Sequence, residues 1–280
     1  MSAANTRPVV VGVDGSDRAL AAVHWAAEAA TLRNAPLHAV YAMSTGWELG
    51  SAATVSLATD RFRAEGEDAL GQARAIAAAQ GLDIVTSVVD PAPIPALRRR
   101  AATAQLLVVG TRGHGAFERA LLGSVSSALA RRLACPLAVI PGPMTQAAAR
   151  LPVLVGLDGS PGSDRALDFA IEEASLRGVG LVAVRAWTTT EPGLRHSEMT
   201  ERTHRLLADR LVGYGQKYPG VPITRIVTDE EPARRLLRES ARAQLLVLGS
   251  HRRGTRDGFG SVSRTVLHAT EIPLVLAGRD

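Results

Sequence analysis

Residues 9–16 read VVVGVDGS, and residues 152–160 read PVLVGLDGS. Each is a short apolar run, rich in valine, that stops at Asp-Gly-Ser. A nearly unbroken run of β-branched residues suits a strand covered on both faces. Asp-Gly-Ser then supplies a turn and a helix N-cap. A strand that leaves directly into a helix is the opening move of an α/β fold, and this chain makes it twice.

The register between the two copies holds outward from that opening. Residues 25–34 (WAAEAATLRN) face 169–178 (FAIEEASLRG), and 37–40 face 181–184. Farther on, 104–110 (AQLLVVG) match 243–249 (AQLLVLG), GSVS recurs at 123–126 and 260–263, and Pro136-Leu137 matches Pro273-Leu274. Islands of identity in one order across the whole length mark a duplicated domain. Pro141-Gly142-Pro143 stops the last strand of the first copy. The expected division is a first domain over 1–143, a linker over 144–150 and a second domain over 151–280.

Within the first copy strand and helix alternate. Strands are expected at 9–13, 37–41, 84–89, 106–109 and 137–140. Helices are expected from Ser16 or Asp17 to about Arg33 with Asn34 ending it, then at 94–103 and 124–133. A polar, glycine-containing stretch from Ser44 to about Thr59 should lead into a further long helix ending near Gly81. Such alternation predicts two tandem Rossmann-like α/β domains, each a five-stranded parallel sheet with helices on both faces.

Composition fits this plan. Hydrophobic residues make up 46% and charged residues 21% of the 280, so two ordinary cores can be buried. Aromatics are 4%, so the cores must be aliphatic. The single cysteine, Cys135, excludes an internal disulfide and reads as a small buried hydrophobe. Residues 1–8 lack the apolar segment of a signal peptide, and no run approaches a membrane span, so a cytoplasmic protein is expected. The pI near 10.2 reflects arginine, since Lys217 is the only lysine and the net charge is +5. The runs 98–100 and 252–253 are short and lack aromatics for base stacking, so no nucleic-acid partner is expected.

In an open parallel sheet the ligand lies beyond the carboxyl ends of the strands, where the strand order reverses. Two segments of each copy lead there. One is Asp14-Gly15-Ser16, and Asp158-Gly159-Ser160 in the second copy. The other leaves the fourth strand: Gly110-Thr111-Arg112-Gly113, nine residues, then Gly123-Ser124 opening a helix. Gly110 and Gly113 permit positive φ and close backbone approach to a ligand. Gly123 and Ser124 stand at a helix N-terminus, where free N–H groups and the dipole favour an anion. With Val125 between them, Ser124 and Ser126 add hydroxyl donors on the same turn. Together these residues predict a cradle for a polyphosphate.

At VGVDGS, LLVVGTRGHG, LLGSVS and CPLAVIP the chain resembles the universal stress protein family in its tandem-domain form, over essentially all 280 residues. That resemblance implies ATP as the bound ligand, with Mg2+ as a candidate companion. It implies that adenine meets backbone near Val40, that Asp14 meets the nucleoside, and that Gly110, Gly113, Gly123 and Ser124 hold ribose and phosphates. It also implies association through the last strands, so the two copies are expected to form an internal pseudo-dimer, with a further homodimer and an unidentified protein partner.

The second copy keeps Asp158, Gly159, Val184, Gly249, Gly260, Ser261, Val262 and Ser263. It departs at Arg252, which stands where Gly113 lies, and its loop is two residues shorter. Arginine resists positive φ, so weaker binding or none is expected there. Arg252 or Arg253 can instead pair with phosphate directly.

No metal site is expected: His196 and His204 are eight apart, too far for a helical i, i+4 pair. His114 and His251 fall in the loops, and Trp25 and Phe169 read as equivalent packing residues. Three function classes follow. The favoured one is an ATP-binding regulatory protein in stress adaptation or growth control. The alternatives are a weak ATPase or nucleotidyl-transferring enzyme, and a nucleotide-independent interaction module. No P-loop lysine or catalytic carboxylate supports turnover, and the intact glycines of the first loop argue against the third class.

Overall fold

A computed structural model describes residues 7–43, 52–90, 92–111, 123–132, 134–187, 195–250 and 260–278, leaving aside the side chains of 52–58. Contacts divide the chain into two compact units, the first ending at Pro143 and the second running from Met144 to Gly278.

The first unit runs β1 (Val9–Val13), α1 (Asp17–Leu32), β2 (Leu37–Ala42), α2 (Ala52–Ala79), β3 (Ile84–Val89), α3 (Pro93–Ala101), β4 (Leu106–Gly110), α4 (Ser124–Ala130), β5 (Leu137–Ile140). The second runs β6 (Val153–Gly156), α5 (Pro161–Arg177), β7 (Leu181–Ala186), α6 (His196–Lys217), β8 (Ile223–Thr228), α7 (Pro232–Ser240), β9 (Leu245–Gly249), α8 (Ser261–Ala269), β10 (Leu274–Ala277). The strand orders are β3-β2-β1-β4-β5 and β8-β7-β6-β9-β10, and the pairs within each unit are parallel. The chain moves one way from β1 and returns to lay β4 on its other side. The order therefore reverses between β1 and β4, and likewise between β6 and β9.

Right-handed crossovers put α1 and α2 on one face and α3 and α4 on the other; α1 packs on α2, and α3 on α4. Central strands are thus covered twice, and Val9, Val11, Leu106 and Leu137 are sealed from solvent. Each such leucine contributes about 1.5–3 kcal/mol by burial. Alanines at 22, 26, 27, 29 and 30 let α1 lie close on the sheet, also fully buried.

Caps end the helices where the sequence indicates. Ser16 caps α1 and Ser160 caps α5. After them Asn34 and Gly178, in matching registers, take φ of 48° and 64°. Three helix boundaries differ from expectation, of which one is the end of α3, at Ala101 rather than Thr103. Helix α2 begins at Ala52 rather than near Thr59. The last glycine before it is Gly50, and Ala52, Ala53, Leu57 and Ala58 are strong helix formers despite the serines and threonines among them. Helix α4 stops at Ala130, short of Leu133. The chain must leave it early because the Pro136 carbonyl accepts from Leu107 N–H at 3.0 Å to start the β4–β5 ladder.

One hydrogen-bond device recurs. Gln105 and Gln244 each stand just before the fourth strand of their unit. The Gln105 amide Nε2 donates to the Arg7 carbonyl at 2.6 Å, and that of Gln244 to the Leu151 carbonyl at 2.6 Å. Both fasten the chain entering the first strand. Gln244 also donates to the Ala149 carbonyl and accepts from Arg177, which pairs with the fully buried Glu173 at 2.9 Å. Ala29 and Arg33 take the places of Glu173 and Arg177 in the first unit, so this charge pair belongs to the second alone. Cys135 is buried, and no helix among the described residues is long and apolar enough to cross a membrane.

Candidate functional site

Each first strand ends in the same turn. Asp14 Oδ1 accepts from the backbone N–H of Ser16 at 3.1 Å and from its hydroxyl at 2.6 Å. Asp158 Oδ1 accepts from Ser160 N–H at 2.9 Å. The intervening Gly15 and Gly159 take φ of 83° and 81°, which a side chain would strain. The carboxylates therefore build the turn.

In the second unit this turn opens a cleft between β6 and β9 that is partly open to solvent. Asp158, Val184, Gly249, Val262 and Ser263 all line it, drawn from four separate stretches of sequence. Gly159, Gly260 and Ser261 border the same edge without lining the cleft. Gly260 is the N-cap of α8, and Ser261 is exposed. Ser160, from the expected Asp-Gly-Ser turn, lines it too; sequence reasoning missed Gly156, Leu157, Ser163, Ala186, Pro232, Leu236 and Leu248, which complete the wall. The four-residue spacing of Pro232 and Leu236 on α7 was the available signal. Among the described lining residues Asp158 is the only acid; serine hydroxyls and helix-start backbone supply the other polar groups.

The first unit repeats this arrangement at its described positions. Val40 is buried at the register of Val184. Gly123 caps α4, Ser124 is exposed and Val125 half-buried. The loop's two ends meet: Gly123 N–H donates to the Thr111 carbonyl at 2.6 Å. The Ser126 hydroxyl, expected to face a ligand, is instead buried and donates to the carbonyls of Thr111 and Gly123. Ser263 does the analogous work, donating to the Gly249 carbonyl at 3.3 Å. Gly113, His114, His251, Arg252 and Arg253 lie outside the described residues.

Gly110 is glycine for a different reason than expected. Its φ is not positive; a Cβ there would stand 3.0 Å from the backbone carbonyl of Arg18. At Gly249 a Cβ would stand 2.5 Å from that of Gly162. In both units the first turn of a helix rests directly on the end of the fourth strand, placing helix-start backbone at the cleft.

The surroundings shift several ionisable groups. Burial, then the carboxylates of Glu65 and Asp14, push the Tyr41 phenol above its ordinary range. Burial, then the Arg100 guanidinium, hold His38 below the usual histidine value. Arg185 takes the place of Tyr41 in the second unit, its guanidinium 3.1 Å from where a Cβ on Gly159 would lie. Trp187, just past β7, is buried with its ring 4.9 Å from that of His196, whose Nε2 is 3.7 Å from Asp229 Oδ2. No cluster of three or more metal-ligating side chains occurs among the described residues.

Known proteins resemble the chain in both halves. The universal stress protein family model matches residues 5–141 and again 150–277. The universal stress protein Rv2005c of Mycobacterium tuberculosis is 43% identical over 288 residues, covering 96% of each chain. A universal stress protein of Mycolicibacterium smegmatis is 38% identical over 284 residues, again covering 96% of each. The crystal structure of a universal stress protein from Archaeoglobus fulgidus superposes with a TM-score of 0.76 at 19% identity, covering 99% of this chain and 100% of that one.

Proposed function

The chain belongs to the universal stress protein family, and from that premise we propose that it is an ATP-binding regulatory protein in stress adaptation or growth control. Nucleotide occupancy at the carboxyl edge of the sheet changes its shape or its choice of partner. The observation that carries the reading is the second unit's cleft at the reversal of strand order, with an Asp turn, a helix start and serine hydroxyls on its walls. A mostly apolar cleft with a few convergent polar groups at that place suits a nucleoside with a phosphate tail, and the first unit carries the matching residues.

The first unit is the principal site and the second the weaker one. The first keeps Gly113, whereas the second has Arg252 and the shorter loop. Mg2+ accompanies the phosphates. The protein acts as a homodimer. Turnover is not part of the proposal: Asp14 and Asp158 accept hydrogen bonds within their own turns rather than standing ready as bases.

Denaturing the purified protein and weighing the released small molecules by mass spectrometry tests this, followed by ATP titration of the stripped chain. ATP released near one per chain, or a tight class of site titrating near one per chain with a weaker class behind it, is the expected result. No released nucleotide together with no heat on titration overturns the reading.

A further inference from the structure

We propose that Arg18 is a positioning residue that sets the phosphate loop of the first unit, acting through Thr111. The proposal rests on the nucleotide reading above.

Arg18 lies on the first turn of α1, its backbone against Gly110. Its Nη1 donates to Thr111 Oγ1 at 2.8 Å and to the Pro141 carbonyl at 3.0 Å. One guanidinium nitrogen thereby ties the start of α1 to the residues that follow β4 and β5. Thr111 is itself the post to which the far end of the loop is fastened, through Gly123 N–H at 2.6 Å and the Ser126 hydroxyl at 3.2 Å. The chain of contacts Arg18–Thr111–Gly123 fixes where the loop leaves and where it returns. It also places Gly123, the residue on which α4 opens. Thr111 is buried, and a charge-assisted hydrogen bond is strong in such surroundings.

Among the described residues the second unit shows no counterpart. Gly162 occupies the place of Arg18, and a Cβ there would stand 2.7 Å from the Ser250 carbonyl oxygen. Backbone stands against that position in the second unit, where the first has the arginine side chain.

The test titrates ATP and adenosine into the full chain as wild type, Arg18→Met, Thr111→Val and the double variant. Arg18→Met should weaken ATP about tenfold at the tight site and weaken adenosine less, because adenosine has a ribose but no phosphates to lose at the loop. Thr111→Val should act in the same direction, and the double variant should bind no more weakly than Arg18→Met. Thr111→Val keeps the shape of the side chain, so it decides the question should Arg18→Met fail to fold. Wild-type ATP affinity in both single variants, equal losses for ATP and adenosine, or additive losses in the double variant would each overturn the inference. Wild type that binds no ATP sinks the nucleotide reading instead, and this proposal with it.

Discussion

Gly249 and Gly162 meet backbone to backbone, so closely that a Cβ on Gly249 would lie 2.5 Å from the Gly162 carbonyl carbon. Neither partner is a side chain that can swing away. Gly249→Ala should therefore destabilise the protein by about 1–3 kcal/mol. Gly110→Ala, where the nearest backbone atom is at 3.0 Å, should cost less. Gly156→Ala is the control: its Cβ would meet Leu248 Cδ2 at 2.7 Å, the end of a side chain that can rotate. Urea midpoints of the three variants check the order, and Gly249→Ala as mild as Gly156→Ala would refute the packing account.

Gln244 ties the entry to β6 through several hydrogen bonds at once. Gln244→Ala strips donors from the Ala149 and Leu151 carbonyls and an acceptor from Arg177. It should cost about 2–3 kcal/mol. Chemical denaturation of the variant beside wild type checks it, and an unchanged midpoint would refute the account.

Tyr214 donates its phenol proton to Asp168 Oδ1 at 2.6 Å. Burial first, then that hydrogen bond and the Asp168 charge, push the phenol up to about 12. The folded state holds this proton more tightly than the unfolded chain does. The resulting stabilisation is complete below pH 10 and is lost as pH rises through about 12. Melting temperature should fall less steeply across that window in Tyr214→Phe. Identical slopes in wild type and variant would remove Tyr214 from the explanation.

ATP titration should resolve two unequal classes of site in each chain, the second at least about tenfold weaker. Gly123→Val, which crowds the start of α4, should abolish the tight class and spare the weak one. Two indistinguishable sites would contradict the asymmetry drawn from Arg252 and the shortened loop.

The fold was legible because the signals that encode it are local and repeated. The β-branched runs at Val9 and Val153, the Asp-Gly-Ser turns and the paired islands between them fix strand, helix and duplication without any long-range information. The edge where the ligand was expected was legible by the same logic, since Asp158, Val184, Gly249, Val262 and Ser263 do converge. What escaped was anything decided by a partner distant in sequence. The reason for Gly110 depends on where the Arg18 backbone lies, and the burial of the Ser126 hydroxyl depends on Thr111. Arg18 itself carried no sequence signal, because the second copy has glycine in its place. The early start of α2 was missed for a local reason: serine and threonine content outweighed the alanines in the reading.

Trp187 gives the second unit an optical probe of its own. Its ring lies 4.9 Å from that of His196, and Ala186, the residue before it, lines the cleft. With Trp25 and Trp47 replaced by phenylalanine, the remaining fluorescence would change as the cleft fills. Occupancy of the second site could then be followed in real time, without a label and separately from the first.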